Sequence, residues 1–325
     1  MGAAGQHIHY SREEFSDAEG YVEQLDLTFG ISGSSMQLEP GQSQTRFESF
    51  STDDGSICLG RTGISLSELV EFHVPRGTTL ISASPESQAY FCNGYKVDAV
   101  KLSVYPGGYD YVGVYPTNWN AIDILISNKL LRKKDLLRTD LMRASRKLEL
   151  RVAEEQGELA SQLINNLSKA FDAAARGADS DSIGIEMFEL LLSNLRPATD
   201  EAFPRQEGRN TRPSRRADIF FAALSAMRQQ SLAQLSAEEL AEKTGVQYRS
   251  LHYAFRDATG ISPYRFILIA RLHAVRQALL NSAMPVKDIG YSHGFDTPSR
   301  FRMQYKRLFG ELPSATRERQ RQRAH

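Results

Sequence analysis

The chain has 325 residues, with 39 Lys and Arg balanced by 39 Asp and Glu, and only two cysteines. This length exceeds most single hydrophobic cores, so we expect two domains. The longest apolar runs, such as 121–126, are far shorter than the roughly 20 residues of a membrane span, which excludes membrane insertion, and the first residues lack an export signal. Cys58 and Cys92 fit buried thiols in a reducing cytoplasm.

The balanced total hides a charge asymmetry along the chain. Residues 217–325 contain 16 Lys and Arg against 9 Asp and Glu, whereas the remainder contains 23 against 30. A basic C-terminal third on an acidic body is the pattern expected when one domain contacts phosphate groups and the other does not.

The N-terminal part is predicted to be rich in strands from about residue 21 to 127. Short alternating stretches broken by Gly, Pro and Asp occur at 45–50, 57–61, 64–72, 78–84, 97–104 and 121–126. Many short strands of this kind favour a β-barrel or a sandwich. Before them, His7 and His9 form a His-x-His pair in a predicted tail, without a third ligand at metal-binding spacing, and we expect no metal.

Helical periodicity follows from about 138 to 195. One stripe recurs along 138–175, and a second, shorter helix is expected at 182–195. The stripe could pack on its own domain, on a second subunit, or on both; its members are Leu141, Leu148, Val152, Leu159, Leu163, Leu167 and Phe171. Residues 196–216 hold three prolines among polar residues and are predicted to be an interdomain linker. The predicted domains are therefore 1–195 and 217–325.

The C-terminal domain contains one pattern twice. Its first copy has Leu240, Gly245, Leu251, Phe255, Gly260 and Pro263, and its second has Ile289, Gly294, Phe301, Tyr305, Gly310 and Pro313. The second copy follows the first by 49 residues up to the glycines and by 50 residues after them. The turn of the second copy is therefore one residue longer, a change that a turn tolerates and a helix does not. With a capping box at Ser236 and Glu239, each copy predicts a helix, a tight turn and a second helix. The domain is therefore expected to be all-α, with two helix-turn-helix units.

The second helix of each copy has an apolar stripe and a polar outer face. Leu251, Phe255 and Ala258 face inward in the first copy, and Phe301, Tyr305 and Leu308 in the second. The outward residues are Arg249, His252, Tyr253 and Arg256, and Ser299, Arg302, Met303 and Lys306. A major groove offers guanine acceptors, phosphates and thymine methyl groups to such side chains. Between the copies, a helix from Pro263 to Leu280 is long enough to hold the two outer faces about one duplex turn apart.

Two segments of the second copy together resemble the C-terminal signature of the AraC/XylS family of bacterial transcription regulators. They are Gly290 to Phe301, with the sequence Gly-Tyr-Ser-His-Gly-Phe-Asp-Thr-Pro-Ser-Arg-Phe, and Tyr305 to Ser314. The resemblance covers about 217–318. It includes Leu251, Phe255, Gly260, Pro263, Arg271, Gly294, Phe295, Phe301, Phe309, Gly310 and Pro313. Two positions depart from the family: Gly290 stands where Ala is usual, and Met303 where some members have Arg.

The resemblance implies base-reading roles for Arg249, His252 and Tyr253 in the first unit, and for Ser299, Arg300 and Met303 in the second. It also implies an N-terminal domain that binds a ligand or dimerises, commonly a cupin-like β-barrel followed by helices. The aromatic run Tyr105, Tyr109, Tyr111, Tyr115 and Trp119 could line a pocket there or pack a hairpin.

The expected function is sequence-specific transcription regulation without catalysis or cofactor. The expected partners are double-stranded promoter DNA, RNA polymerase, a second copy of the chain and a small-molecule effector, with no membrane and with action at the nucleoid. A non-specific architectural DNA binder is an alternative, because it also needs basic residues. A DNA-repair alkyl transferase fused to the same domain is disfavoured, because neither Cys58 nor Cys92 has His or Cys neighbours in sequence.

Overall fold

The computed structural model describes residues 7–84, 89–97, 102–142, 151–153, 157–203 and 214–323. The chain forms two compact units: one of Met1–Ser35, Gln44–Cys92 and Lys96–Asn210, the other of Met36–Ser43, Asn93–Tyr95 and Thr211–His325. Within the described residues, no helix is both long and apolar enough to span a bilayer. The prediction of a strand-rich N-terminal domain and an all-helical C-terminal domain is confirmed.

The described residues of the N-terminal unit form two sheets. The seven-stranded sheet has the order β1-β3-β4-β11-β6-β9-β12 and the five-stranded sheet the order β2-β5-β10-β7-β8. The strands are β1 Ile8–Phe15, β2 Ser32–Gln37, β3 Thr45–Thr52, β4 Ile57–Ile64, β5 Glu68–Val74, β6 Thr78–Ala83, β7 Tyr90–Cys92, β8 Tyr95–Val97, β9 Ser103–Pro106, β10 Tyr109–Tyr115, β11 Trp119–Ser127 and β12 Arg151–Val152. Of the predicted strand at 97–104, Val97 belongs to β8 and Ser103 and Val104 belong to β9, and residues 98–101 lie outside the described residues.

The N-terminal segment differs from the prediction in two places. The predicted tail is strand β1, which pairs antiparallel with β3 from Ile8↔Thr52 to Phe15↔Thr45, and Tyr10 packs on Phe50 with ring centroids 4.7 Å apart. Helix α1, Ala18–Phe29, replaces the start of the predicted strand region. Asp17 caps it by accepting from the Gly20 amide, and every fourth residue from Tyr21 to Phe29 is buried.

The long helix predicted over 138–175 is wrong in its first half. After α2, Asn128–Lys133, the chain places Arg151–Val152 in strand β12 against β9, and helix α3 runs only from Glu158 to Ala175. The β-branched Val152 suits a strand, and Gly157 is the residue before the helix begins. Leu148 lies outside the described residues. Leu163, Leu167 and Phe171 are buried in the core of their own unit, so this part of the stripe is not a surface for a second subunit.

Helix α4, Ser180–Ala202, extends beyond the predicted end at Leu195 and through Pro197 into the predicted linker. Ala198 and Ala202 are buried, and Arg196 pairs with Asp200 across one turn at 2.6 Å. These contacts continue the helix despite the linker-like composition. Residues 204–213, which contain the other two prolines of the predicted linker, lie outside the described residues.

Within residues 214–323, which the structure describes, the chain forms seven helices: α5 Arg215–Arg228, α6 Ala237–Lys243, α7 Tyr248–Thr259, α8 Pro263–Asn281, α9 Val286–Ser292, α10 Pro298–Phe309 and α11 Pro313–Arg323. The capping box of Ser236 and Glu239 is present, and Ser262 caps α8 with Pro263 at its first turn, as predicted. Gly260 and Gly310 end α7 and α10 in the same left-handed conformation, with φ of 72° in both. The two halves of the domain thus repeat in local structure.

The turn glycines of the two helix-turn-helix units have different surroundings. Gly245 and Gly294 both have positive φ, 66° and 81°. A Cβ on Gly245 would meet nothing within 4 Å, whereas a Cβ on Gly294 would overlap the backbone carbonyl of Ala233. Gly294 is therefore required both by its dihedral angle and by a close backbone approach.

We expect Gly294→Ala to lower the free energy of unfolding by roughly 3 kcal/mol or more, because it adds a backbone clash to the dihedral strain. The matched variant Gly245→Ala has the strain alone and should cost about 1–2 kcal/mol. Urea unfolding of both variants measures the difference. Equal losses would show that the approach to Ala233 contributes nothing.

Candidate nucleic-acid interface

The inward faces of α7 and α10 are buried as the sequence predicts. Leu251 and Phe255 on α7 have no accessible surface, and Phe301 and Tyr305 on α10 are 2% and 0% exposed. Phe255 packs edge-on against Phe220 of α5 and Phe266 of α8, with centroids 5.1 Å apart in both pairs. This packing fixes the rotation of α7 about its axis, and with it the residues that remain outside.

The outer face of α7 presents a stacked arginine and tyrosine. The Arg249 guanidinium lies 5.6 Å from the centre of the Tyr253 ring and donates to the Tyr253 hydroxyl at 3.4 Å. Both side chains are exposed, and His252 beside them is half-buried. Contact with the ring restricts the flexible Arg249 side chain, which leaves less conformational entropy to lose on binding.

Arg256 is placed differently from the other predicted α7 residues. Its guanidinium donates to the Gly260 carbonyl at 2.8 Å, at the C-terminal end of the helix. There it stabilises the last turn through the helix dipole as well as the hydrogen bond. This position, at the end of the helix, suits a contact with the phosphate backbone of DNA better than a contact with a base.

Arg216 belongs to this surface although the sequence placed it in the linker. Its guanidinium lies 5.6 Å from the Tyr253 ring and 3.7 Å from the Asp257 carboxylate. It sits in the first turn of α5, which Ser214 caps by accepting from the Ala217 amide. A serine two residues before Arg216, at the start of an apolar helical pattern, was the available signal.

The outer face of α10 carries different side chains. Ser299, Arg300, Arg302, Met303 and Lys306 are all exposed, and Met303 keeps 65% of its surface accessible. An apolar side chain this exposed on a surface of cations and a hydroxyl can contact a thymine methyl group. The sequence-predicted residues of each unit therefore share one exposed face of their helix.

Helix α8 contacts both helix-turn-helix units. Arg271 donates to the carbonyls of Leu232 and Leu235, before α6, at 2.5 and 2.7 Å. Arg276, one turn further on, donates to Glu311 at 2.7 Å and lies over the Phe309 ring at 4.9 Å. A single helix thus anchors the segment leading into the first unit and the end of α10.

A buried polar chain continues from Arg276 to the base of α10. Glu311 accepts from Thr316 at 2.7 Å, and the Tyr305 hydroxyl bonds to Thr316 at 2.8 Å. Burial raises the pKa of Glu311, but the hydrogen bonds from Thr316 and Arg276 outweigh it and hold that pKa below its ordinary value. Glu311 is therefore ionised at neutral pH and orients α10 against α8 and α11.

Comparison with known proteins agrees with this geometry. Residues 240–319 match the family model described as a helix-turn-helix domain. The XylDLEGF operon transcriptional activator 2 of Pseudomonas putida is 35% identical over 85 residues, which are 25% of this chain and 54% of that protein. The HTH-type transcriptional activator RhaS of Yersinia pestis is 35% identical over 75 residues, 23% of this chain and 28% of RhaS. The chain thus spans about half or less of these relatives.

A solved AraC-type transcriptional regulator from Chromobacterium violaceum is 28% identical, with 32% of this chain and 94% of that chain covered and a TM-score of 0.31. The two repeated helix pairs and the matched residues define a helix-turn-helix DNA-binding domain. This C-terminal domain thus matches the helix-turn-helix family model and is similar to these transcriptional activators, in agreement with the resemblance to the AraC/XylS family.

Proposed function

We propose that this protein is a sequence-specific regulator of bacterial promoters that reads two successive major grooves, with α7 in one and α10 in the other. The observation that carries the proposal is the chemistry at equivalent positions, 50 residues apart. Arg249 corresponds to Ser299, and Tyr253 to Met303. The two exposed faces have the same geometry but different hydrogen-bonding and apolar groups, as the recognition of two different base sequences requires.

At one pair of equivalent positions the two helices carry similar side chains. Arg256 and Lys306 are both cations at the C-terminal half of their helices, and both are exposed. We assign them to phosphate contacts, which position a helix without reading sequence. Arg249, His252, Tyr253, Ser299, Arg300, Arg302 and Met303 are then the base-reading set, with Arg249 the best candidate for a bidentate contact to guanine.

An architectural DNA binder is the second candidate. It needs a basic surface, but nothing in that function requires the two outer faces to differ. The observed differences between Arg249 and Ser299, and between Tyr253 and Met303, therefore favour a sequence reader.

The thiols argue for a non-enzymatic N-terminal unit. Cys58 and Cys92 are buried, and burial raises their pKa to about 11 and about 12, respectively. Alkyl transfer needs a thiolate, which these surroundings disfavour. We propose instead that the N-terminal unit senses a small molecule.

The proposal includes two protein partners, in the cytoplasm where the chromosome lies. Because both relatives reported above are named transcriptional activators, we propose that this chain also activates transcription, by contact with RNA polymerase. A homodimer would double the number of reading helices at a promoter and allow paired half-sites. The predicted stripe does not support this dimer, since its described helical part lies mainly inside the unit.

Footprinting of the full chain on genomic fragments tests the function. A regulator should protect discrete sites of about two duplex turns, because one subunit contacts successive grooves. Uniform coating that disappears with added salt would instead identify an architectural binder.

Arg249→Ala should weaken binding at such a site by about 1–3 kcal/mol and leave binding to random DNA nearly unchanged, since it removes a base contact. Arg249→Lys keeps the charge but not the planar fork and should lose most of the same discrimination. Arg256→Ala is the matched control from the same helix, with similar losses on both DNAs. Electrophoretic titrations measure all three, and equal losses on both DNAs for Arg249→Ala would make Arg249 a phosphate contact.

Sedimentation of the full chain tests the dimer. We expect a reversible dimer at micromolar concentrations, because each promoter half-site binds one subunit. A monomer throughout the accessible concentration range would remove the dimer from the proposal and leave DNA reading intact.

A further inference from the structure

The N-terminal unit contains a cavity of about 60 Å³ between its two sheets and α1. Most of its wall is apolar or aromatic. The lining includes Tyr21 and Phe29 of α1, Phe72 of β5, Tyr105 of β9, Tyr115 of β10 and Trp119 of β11. Three members of the predicted aromatic run thus line a pocket. Tyr111 instead is buried beside it and donates to the Pro106 carbonyl at 2.9 Å.

One carboxyl group faces this space. Asp123 lies on β11 on the same side as Trp119 and Ala121, which also line the cavity, whereas Ile122 and Ile124 point into the core beneath α3 and α4. The Asp123 side chain is hydrogen-bonded with Ser82 and Thr62, and Thr62 also bonds the Tyr21 hydroxyl at 3.2 Å. Asp123 retains accessible surface although the strand around it is buried.

The cavity lining, within the described part of the chain, contains no Lys, Arg or His. The other titratable residues among those that line the space are Tyr21, Tyr105 and Tyr115. Burial raises the pKa of Asp123 to about 6. At pH 7.5 the carboxyl group is therefore mostly ionised, with hydrogen bonds from Ser82 and Thr62 but no countercharge among the described residues that line the cavity, which is an unfavourable arrangement.

A bound cation would remove this deficit. Its charge would pair with Asp123, and the faces of Tyr21, Tyr115 and Trp119 would attract it further. An anion would meet this carboxylate and, among the lining residues that the structure describes, no positive group. A volume of about 60 Å³ holds about four to six water-sized groups, so the occupant is small.

We propose that this cavity binds a small alkylamine cation, with its ammonium group on Asp123 and its apolar body against the aromatic wall. The inference rests on the proposed sensing role of the N-terminal unit and specifies the charge and size of the ligand. It also identifies Asp123 as the residue that selects the ligand.

The test uses the full chain and the emission of Trp119, which is the single tryptophan of the sequence and lines the cavity. Isobutylamine, isobutanol and isobutyrate have similar shapes and carry a positive, a neutral and a negative group. At pH 7.5 we expect saturable binding of isobutylamine at least about tenfold tighter than of isobutanol, and none of isobutyrate.

Asp123→Asn should reduce the ratio of amine to alcohol affinity to about one, whereas Asp110→Asn, at an exposed position of β10, should leave it unchanged. A second measurement needs no variant. Lowering the pH from 7.5 to 5 protonates Asp123 and should weaken amine binding by about tenfold per pH unit below 6, with little effect on the alcohol.

Equal affinity for amine and alcohol, tighter binding of isobutyrate, absence of saturable amine binding, or an amine affinity independent of pH would each overturn the proposal. The titrations contain no DNA, so these outcomes leave the reading of promoters untouched. Conversely, failure of Arg249→Ala to discriminate between DNAs would overturn promoter reading without changing the emission of Trp119.

Discussion

A helix-turn-helix pair has too little apolar surface to hold its second helix in place alone, and in this protein α8 supplies the missing support for both pairs. Phe266 of α8 closes the aromatic cluster around Phe255, and Arg276 of α8 connects through Glu311 to the base of α10. Helix α8, 19 residues and about 28 Å long, is the element that packs against both α7 and α10, with α5 completing the contacts of α7 and α11 those of α10. Any sequence preference of the protein depends on that rod being straight and fully buried on its inner side.

In the N-terminal unit, strand β11 has a comparable position. One side carries Ile122, Ile124 and Ile126 into the core beneath α3 and α4, and the other carries Trp119 and Asp123 into the cavity. Because residues on both sides of this strand are packed, a substitution at Asp123 also acts on the sheet that supports α3 and α4.

Local periodicity was sufficient for the C-terminal domain because each of its helices has its cap and stripe in sequence. Ser236, Ser262 and the glycine pairs mark the boundaries, and the buried stripes follow directly. Gly290, which departs from the family, has a local reason: a Cβ there would stand 3.1 Å from the Phe301 ring. The roles of individual residues on the outer faces depend on DNA and stay predictions.

Tertiary contacts decided the elements that the sequence misplaced. β1 contains four consecutive polar residues, Ser11 to Glu14, and forms because β3 offers an edge, and Val152 joins β9 rather than a helix. The position of Asp123 in the cavity could not be predicted from the sequence. A single acidic residue in an apolar strand does not indicate which residues surround it until the two sheets are packed together. The same applies to Arg216, whose contact with Tyr253 joins residues 37 positions apart.

Helix α8, which packs against both α7 and α10, should fix the distance between the two helices proposed to read DNA. The most direct test compares the affinity of the protein for an intact DNA site with its affinity for two altered sites. In these, about 5 or about 10 base pairs are inserted between the two major grooves that the protein contacts. A rigid spacer predicts that both insertions lower affinity by about two orders of magnitude, to that of a single groove contact. Recovery of full affinity with the full-turn insertion would contradict it, because the two units would then be moving independently.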